Sequence, residues 1–320
     1  MPKKPLSDHF DGRRFFNPTL PKGFAHSRRQ VLKMLREPRN PWPVWVENRG
    51  VPRIHEKLAA DEIAITFINH ATFLIQTAGA AILTDPIWSE RASPLRRVGP
   101  KRVRAPGVPF DDLPAIDLVL LSHNHYDHLD VATLARLRRR FGPSVLAAAG
   151  DRRLIAPLGF ARVHELDWWE QVRVNDTLAI TFVPAQHFSA RGLFDRRKSL
   201  WGGYMIESRG RRIYFGGDTG YSTHFVDIRD RLGPPDIAML GIGAYEPRWF
   251  MQPVHMNPAE AVRAHRDLGS RHSIGMHFGT FRLTVEPIDQ PRIDLEHARA
   301  ESGVAADEFI TLNEGETRIY

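Results

Sequence analysis

Short apolar runs separated by turn residues begin at about residue 63 and continue through most of the chain. The runs IAITFI, TFLIQ and AAILT predict three antiparallel strands at 63–68, 72–76 and 80–84. Continuous apolar runs further along the chain predict strands that are buried on both faces. These strands are predicted at 117–122, 144–150, 178–183, 200–207, 212–216, 236–240 and 272–276.

Helical patterns alternate with the predicted strands. The best-marked start is Asn257-Pro258-Ala259-Glu260, which provides a capping Asn, a Pro at the first helical position and a Glu at the third. Helices are predicted near 130–141, 221–231, 258–268 and 291–301. Strands interleaved with helices, without repeats, predict one large domain of α/β (α+β) class in which helices flank layered sheets.

Composition excludes several kinds of protein and of site. A chain of 320 residues with 42% hydrophobic and 25% charged residues can bury a substantial core. It has no cysteine and 15 histidines, so any metal ion must be held by imidazole and carboxylate groups. Because no apolar run has the roughly 20 residues of a membrane span and the first residues lack a signal-peptide core, we expect a cytoplasmic protein.

Excess positive charge is confined to the beginning of the chain. The first 50 residues contain 11 of the 44 basic and 4 of the 37 acidic residues, which leaves 33 of each sign in the remainder. A basic arm suits an anionic membrane or nucleic acid, and a solvated extension is the alternative. Interspersed prolines and aromatic residues indicate partial packing. We therefore predict an extension at 1–60 packed on a domain at 61–320.

Residues with metal-binding side chains follow the predicted strand 117–122 in the sequence SHNHYDHLD. His123, His125, Asp127 and His128 fall within six positions. Imidazoles and carboxylates bind zinc and similar ions, and four ligands exceed what one tetrahedral zinc with an open position requires. The segment therefore predicts two metal ions. Three further candidates, His187, Asp218 and His277, each follow a predicted strand.

The order of these residues resembles the metallo-β-lactamase superfamily, whose fold is a four-layer αββα sandwich with a dinuclear site between the sheets. Within that superfamily the chain is similar to the N-acyl-phosphatidylethanolamine-hydrolysing phospholipase D family. The similar segments, between about residues 67 and 281, are NHATFLI, LTDPIWSERASP, GPKRVR, SHNHYDHLD, ELDWWE, GGDTGY, IGAYEPRWFM and MHFGTF.

This resemblance implies a ligand set for two zinc ions. One zinc would be held by His123, His125 and His187, the other by Asp127, His128 and His277, with Asp218 bridging both. All seven positions carry the expected residue types. Iron or manganese is the alternative, because these ligands serve all three metals.

The resemblance also implies a mechanism. A hydroxide shared by the two ions would attack phosphorus, so that N-acyl-phosphatidylethanolamine gives phosphatidic acid and an N-acylethanolamine. The predicted catalytic residues are Asp127, Asp218 and His255. His255 would protonate the leaving alkoxide or bind substrate; the alternative is a histidine that is merely packed at a helix entry.

Several other residues are predicted to bind substrate or support the metal ligands. Six basic and no acidic residues lie between Arg91 and Arg104, so we predict headgroup binding by Arg97 and Lys101, with a solvated loop as the alternative. An apolar loop run at 249–251 predicts an acyl-chain groove or membrane wedge, with core packing as the alternative. The remaining predicted contacts are Tyr245, Trp249 and Phe250 for substrate, and His70 and Asp85 as hydrogen-bonding support for the ligands.

The sequence thus predicts a dinuclear zinc hydrolase, a phosphodiesterase of the phospholipase D type that acts in lipid metabolism. A phospholipid substrate, peripheral contact with the anionic inner face of a membrane and a homodimer are the expected partners, without nucleic acid. The alternatives are a lactonase or a cyclic-phosphate or nucleotide phosphodiesterase on the same fold, and a non-catalytic membrane- or nucleic-acid-binding module.

Overall fold

A computed structural model describes residues 6–21, 24–50, 52, 54–55, 58–77, 79–95, 97–192 and 194–320. Parts of the predicted extension 1–60 and Arg96 of the basic segment therefore lie outside the described residues. The helices are α1 Arg28–Arg36, α2 Val131–Arg140, α3 Arg152–Ile155, α4 His224–Leu232, α5 Arg248–Met251, α6 Pro258–Leu268 and α7 Gln290–Ser302.

Two seven-stranded sheets form within the described residues. The first has the order β14-β1-β2-β3-β4-β5-β6 and the second the order β13-β12-β11-β10-β9-β8-β7. The strands are β1 Ala64–Asn69, β2 Thr72–Thr77, β3 Ala80–Thr84, β4 Leu118–Leu121, β5 Ser144–Ala148, β6 Val163–Leu166, β7 Gln171–Asn175, β8 Leu178–Val183, β9 Gly203–Ser208, β10 Arg211–Phe215, β11 Ile237–Gly241, β12 His272–Met276, β13 Phe309–Ile310 and β14 Thr317–Ile319.

Each sheet combines an antiparallel and a parallel part. Strands β1 to β3 pair antiparallel and β3 to β6 pair parallel. In the second sheet β7 to β10 pair antiparallel and β10 to β13 pair parallel. Because parallel neighbours end at the same edge of a sheet, the loops after β3 and β4 lie together, as do the loops after β10 and β12.

Alternating side chains of β4 show how the layers are built. Leu118 and Leu120 pack into the apolar cluster that both sheets share, whereas Val119 and Leu121 belong to a second cluster that includes Leu134 of α2. Helices α4, α6 and α7 add apolar side chains to the cluster that both sheets share. The arrangement is the predicted αββα sandwich, which buries two sheets between helical layers.

Most predicted elements are present close to their predicted bounds, but several were missed. The sequence analysis gave no strand for β6, β7, β13 or β14 and no helix for α1 or α3. It also placed 249–251 in a loop, which is wrong because these residues form the last three positions of α5. Pro247 precedes α5 as its N-cap residue, and a turn at 252–254 ends the helix.

The described part of the N-terminal extension contacts the sandwich. Phe15 is buried in the main core, and His9 stacks on Trp168 with ring centroids 4.3 Å apart. Asn17 donates from Nδ2 to the backbone oxygen of His187 over 2.8 Å. Among the described residues, no helix combines the length and apolar character that a bilayer crossing requires.

Candidate metal centre

The predicted metal-binding side chains lie where strands of both sheets end. The segment with His123, His125, Asp127 and His128 connects β4 to α2, and His187, Asp218 and His277 follow β8, β10 and β12. Hydrogen bonding joins the two edges, because Gly202 donates from its backbone nitrogen to the Ser122 oxygen over 3.0 Å. The fold therefore brings seven residues from four loops into one place.

One group of ligand atoms contains His123, His125, His187 and Asp218, whose ligand atoms all lie within 4.8 Å of one another. Nδ1 of His125 is 2.9 Å from Nε2 of His123 and 3.2 Å from Nε2 of His187. The three imidazoles thus direct nitrogen atoms towards a common point, as three ligands of one ion do.

A second group contains His70, Asp127, His128 and His277, again with ligand atoms within 4.8 Å of one another. Oδ2 of Asp127 lies 3.5 Å from Nε2 of His277 and 3.6 Å from Nε2 of His128. His70 joins this group because its Nε2 lies 3.0 Å from the same carboxylate oxygen. This contact is of the kind predicted for His70, a hydrogen bond that supports a ligand.

Asp218 faces both groups. Its Oδ2 lies 3.1 Å from Nε2 of His128 and 3.2 Å from Nε2 of His277, and 3.7 and 3.8 Å from Nε2 of His187 and His123. A carboxylate in this position has the geometry of a ligand shared by two ions.

Buried polar atoms at this place lack partners of their own. Within the described part of the chain, Nε2 of His128, Nε2 of His277 and Oδ1 of Asp218 are buried without a hydrogen-bond partner. Leaving such atoms unsatisfied is costly, and a divalent cation would satisfy all three. The donor set, imidazole and carboxylate without thiolate, fits zinc, iron or manganese.

Buried carboxylates at the centre favour positive charge on two of the histidines. Burial opposes the charged form of His277, but the carboxylates of Asp218 and Asp127 raise its pKa to about 9. Burial acts likewise on His128, and the same two carboxylates with Asp85 raise its pKa well above the usual value. Protons on these imidazoles balance the carboxylates, so a metal ion would displace protons when it binds.

Three other histidines are neutral, which is the form that binds metal. Burial and, secondarily, the neighbouring histidines lower the pKa of His123 well below its usual value. Burial also lowers the pKa of His125 to about 4 and that of His187 to about 3, although Asp218 opposes both shifts. The site therefore offers free imidazole nitrogens at neutral pH.

Hydrogen bonds on the far side of the rings fix the orientation of the ligands. Nδ1 of His128 lies 2.7 Å from Oδ2 of Asp85, and Ser122 donates from Oγ to the same oxygen over 2.6 Å. Nδ1 of His187 donates to the backbone oxygen of Val254 over 2.9 Å. These contacts leave the Nε2 atoms of both histidines directed towards the centre.

Two of these histidines have left-handed backbone conformations. The φ angles of His70 and His277 are 49° and 65°, and the His277 backbone nitrogen donates to the His70 oxygen over 2.8 Å. Left-handed backbone is unfavourable for residues other than glycine and occurs often at functional sites. The linked turns place both rings beside Asp127.

The basic segment between Arg91 and Arg104 does not form a continuous exposed surface. Arg102 is buried and donates to backbone oxygens, and Arg104 donates to Glu314. Lys101 is exposed but pairs with Glu90 at 2.8 Å, and Arg97 is exposed. Headgroup binding by Arg97 and Lys101 stays a prediction.

The predicted substrate-binding residues on and near α5 differ from one another in exposure and in their distance from the centre. Tyr245 is buried, with its hydroxyl 2.5 Å from Oδ2 of Asp294 on α7. Trp249 is 38% exposed, and Phe250 stacks on His26 with ring centroids 3.8 Å apart. His255 lies closest to the centre, because its ring centroid is 5.1 Å from that of His187 and 5.2 Å from that of His277.

A small cleft reaches the centre from the N-terminal extension. It is lined by His187, by aromatic rings and by two half-buried arginines. The lining includes Phe16, Phe24, His187, Phe188, Arg196 and Arg197. The guanidinium carbon of Arg196 lies 4.0 Å from the ring centroid of Phe188, so the cleft combines apolar surface with positive charge.

Arg191 is a site residue that the sequence analysis missed. Its Nη1 donates to the backbone oxygens of Asn124 and Leu129, at 2.9 and 2.7 Å. These oxygens lie at the two ends of the metal-binding loop. The segment RGLFDRRK gives no sequence signal for this contact, because the contact depends on tertiary structure.

Comparison with known proteins identifies the family of this chain. A family model described as a beta-lactamase superfamily domain matches residues 80–278. The chain is 40% identical to N-acyl-phosphatidylethanolamine-hydrolyzing phospholipase D 1 of Caenorhabditis elegans over 263 residues. The aligned residues cover 78% of this chain and 74% of the nematode protein. It is 37% identical to the mitochondrial enzyme of that name from Saccharomyces cerevisiae, over 68% of this chain and 48% of the yeast protein.

The fold has solved counterparts. The isothiocyanate hydrolase from Delia radicum gut bacteria aligns with a TM-score of 0.64 and 25% identity, covering 80% of this chain and 98% of that one. The matched family model and the αββα sandwich indicate the same family. This chain is a hydrolase of the beta-lactamase superfamily, and within that superfamily it resembles the N-acyl-phosphatidylethanolamine-hydrolysing phospholipases D.

Proposed function

We propose that this protein is a phosphodiesterase of the phospholipase D type that cleaves N-acyl-phosphatidylethanolamine to phosphatidic acid and an N-acylethanolamine. The observation that carries the proposal is the pair of ligand groups that share Asp218, in a chain 40% identical to a nematode enzyme of that name. The metal ligands would be His123, His125 and His187 at one ion, Asp127, His128 and His277 at the other, and Asp218 at both.

Two zinc ions held there would activate water near neutral pH and stabilise the phosphoryl oxygens during the reaction. The residues of the chain supply orientation. Asp85 and the Val254 oxygen hold the rings of His128 and His187, and His70 holds the Asp127 carboxylate. Rigid ligands favour the transition state because no reorganisation is needed at the moment of reaction.

His255 is assigned to substrate binding rather than to proton donation. Burial, together with His187 and His277 and against the opposing effect of Asp218, lowers the pKa of His255 well below its usual value. A neutral imidazole still donates one hydrogen bond, and cations nearby would favour that form further. Neutral His255 is therefore suited to donate a hydrogen bond to a substrate oxygen.

The cleft beside His187 supports an amphiphilic, anionic substrate. Its aromatic rings offer apolar surface next to Arg196 and Arg197, which can pair with phosphate. Nε of each arginine is buried without a hydrogen-bond partner within the described residues. A lactone or an isothiocyanate would leave this positive charge without a counterpart.

The proposal is tested by metal analysis together with lipid product identification. The wild-type protein is expected to hold two zinc ions per chain and to release N-acylethanolamine and phosphatidic acid. Asp218→Asn should bind less metal and lose turnover by at least about a hundredfold. Asp307→Asn, in an exposed turn, is the matched control and should behave as wild type.

The products also discriminate between the alternatives. Release of a carboxylate from a lactone, or of a phosphomonoester from a cyclic phosphate, without cleavage of phospholipid would contradict the proposal and leave a dinuclear hydrolase of different specificity. Metal content near zero in active protein would refute the assigned metal centre.

A further inference from the structure

Helix α1 exposes apolar side chains instead of burying them. It runs over Arg28–Arg36 and begins with a capping box formed by Ser27 and Gln30. Val31, Leu32 and Leu35 are 41%, 53% and 63% exposed, and within this helix only Met34 is buried. A nine-residue helix gains little stability on its own, so Met34 and the cap hold α1 while its apolar side faces outwards.

The other side of α1 is positively charged. At 100° per residue, Val31, Leu32 and Leu35 fall within an arc of about 100°. The helix contains four basic residues and no acidic one; Arg29, Lys33 and Arg36 lie outside that arc, whereas Arg28 lies within it. The basic residues are Arg28, Arg29, Lys33 and Arg36.

This surface continues into the region that leads to the metal centre. Nζ of Lys33 lies 4.5 Å from the ring centroid of Trp249, which is itself exposed on α5. The turn after α5 is followed by His255, whose backbone nitrogen donates to the Met251 oxygen over 2.9 Å. Apolar contacts made by α1 would therefore form beside the approach to His187.

We propose that α1, with Trp249, is the surface by which the protein docks on a bilayer that contains anionic phospholipid. The helix lies in the interface, with Val31, Leu32 and Leu35 among the acyl chains and the basic residues among the headgroups. This inference rests on the proposed function, since a phospholipid substrate lies in a bilayer.

Charge identifies the bilayer as the occupant of this surface. A second copy of the chain would bring two α1 helices with like charge together, which is unfavourable. A nucleic acid would satisfy the basic residues but would leave the exposed leucines in water. An anionic bilayer satisfies the positive charge and the apolar area at once.

The test is sedimentation of the full-length protein with vesicles that contain no N-acylated lipid. We expect binding to phosphatidylcholine vesicles that contain phosphatidylserine, and much weaker binding to phosphatidylcholine alone. Leu32→Ser combined with Leu35→Ser should lower the partition coefficient about tenfold. The matched control, Val174→Ser combined with Ile319→Ser, changes exposed apolar residues on two sheet edges and should bind as wild type.

A second variant keeps the test decisive if the leucine variant does not fold. Arg29→Gln with Arg36→Gln retains the apolar residues and should abolish the preference for phosphatidylserine. Wild-type partitioning by both folded variants would refute the proposal, and so would a loss of self-association without a change in vesicle binding.

Failure of the docking inference differs from failure of the proposed function. A dispersed short-chain N-acyl-phosphatidylethanolamine should be hydrolysed equally by wild type and the leucine variant, because the metal centre is unchanged. Vesicle binding without any lipid cleavage would contradict the proposed function alone. Lipid cleavage with vesicle binding that is insensitive to α1 would contradict the docking surface alone.

Discussion

Oδ2 of Asp85 lies 2.7 Å from Nδ1 of His128, in a fully buried pair beneath the metal centre. This contact holds the proton of His128 on Nδ1 and leaves Nε2 available to a metal ion. The same carboxylate accepts from the Ser122 hydroxyl, whose oxygen is 2.9 Å from Nδ1 of His123. One aspartate therefore orients ligands of both groups.

Replacing this aspartate should weaken metal binding without removing a ligand. We expect Asp85→Asn to lower the affinity of the second ion by about 10- to 100-fold, because an amide holds the imidazole less strongly than a carboxylate. The measurement is metal competition with a chromophoric chelator. The control is Asp117→Asn. The Asp117 carboxylate also accepts a hydrogen bond, from the backbone nitrogen of Ala81 in the first sheet, but it lies away from the centre. Equal affinity in Asp85→Asn and wild type would contradict this role.

Arg191 should matter for the shape of the metal-binding loop. Its guanidinium satisfies the oxygens of Asn124 and Leu129, so Arg191→Ala should leave them without this donor and destabilise the protein by about 2 kcal/mol. Metal affinity should fall as well, because the loop carries four ligands. Urea unfolding and metal titration measure the two effects.

A matched arginine separates loop positioning from general stability. Arg152 donates to the Val163 oxygen over 2.9 Å but is exposed and belongs to another segment. Arg152→Ala should change stability by less than about 1 kcal/mol and leave metal affinity unchanged. If both variants bind metal equally well, Arg191 does not position the loop.

The central strands could be predicted from the sequence because they are buried on both faces, whereas the αββα sandwich was implied by the resemblance. LVLL of β4 and LAITFV of β8 are continuous apolar runs, and every residue in them is buried. In contrast, QVRVN of β7 pairs at a sheet edge with mostly exposed side chains, so its hydropathy does not distinguish it from a loop. Strand β13 has only two residues, too few for any period to be visible.

The same distinction applies to the metal centre. His187, Asp218 and His277 could be predicted because each follows a recognisable strand, and residues at strand ends converge in this architecture. The hydrogen bonds of Arg191 could not be predicted, because they depend on how loops of different sheets meet. His277 and His70, for example, meet across 207 positions of sequence, through a backbone hydrogen bond and ring centroids 4.1 Å apart.

Docking of the N-terminal extension should depend on pH through His9. Nε2 of His9 lies 2.7 Å from Oδ1 of Asp167, and Nδ1 lies 2.5 Å from Oδ1 of Asp8. Burial opposes the charged imidazole, but these carboxylates outweigh it and raise the pKa of His9 above 6.5. A raised pKa gives stability that is complete below the unfolded value of about 6.5 and is lost as pH rises through the folded value.

The expected result is a pH-dependent effect of His9→Gln. The variant should lose on the order of 1 kcal/mol more stability at pH 6 than at pH 9, because only the charged imidazole gains from the carboxylates. Urea unfolding at the two pH values measures this difference. His297→Gln on α7 is the control and should show no such dependence; an equal loss at both pH values for His9→Gln would exclude the ion pair as the cause.

Gly217, directly before Asp218, should tolerate no side chain. Its φ is 58°, and an added Cβ would lie 2.7 Å from Cβ of Ser122 and 2.8 Å from the Gly202 oxygen. Gly217→Ala should therefore cost about 3 kcal/mol, from left-handed backbone and overpacking together, and should displace Asp218.

Gly210 is the matched control. It has a φ of 81°, but no described heavy atom lies within 4 Å of its added Cβ. Gly210→Ala should cost only about 1 kcal/mol. Urea unfolding compares the two costs, and metal titration should show weaker binding for Gly217→Ala alone. Equal costs with intact metal binding would mean that the contact between the two strand ends does not position the Asp218 carboxylate.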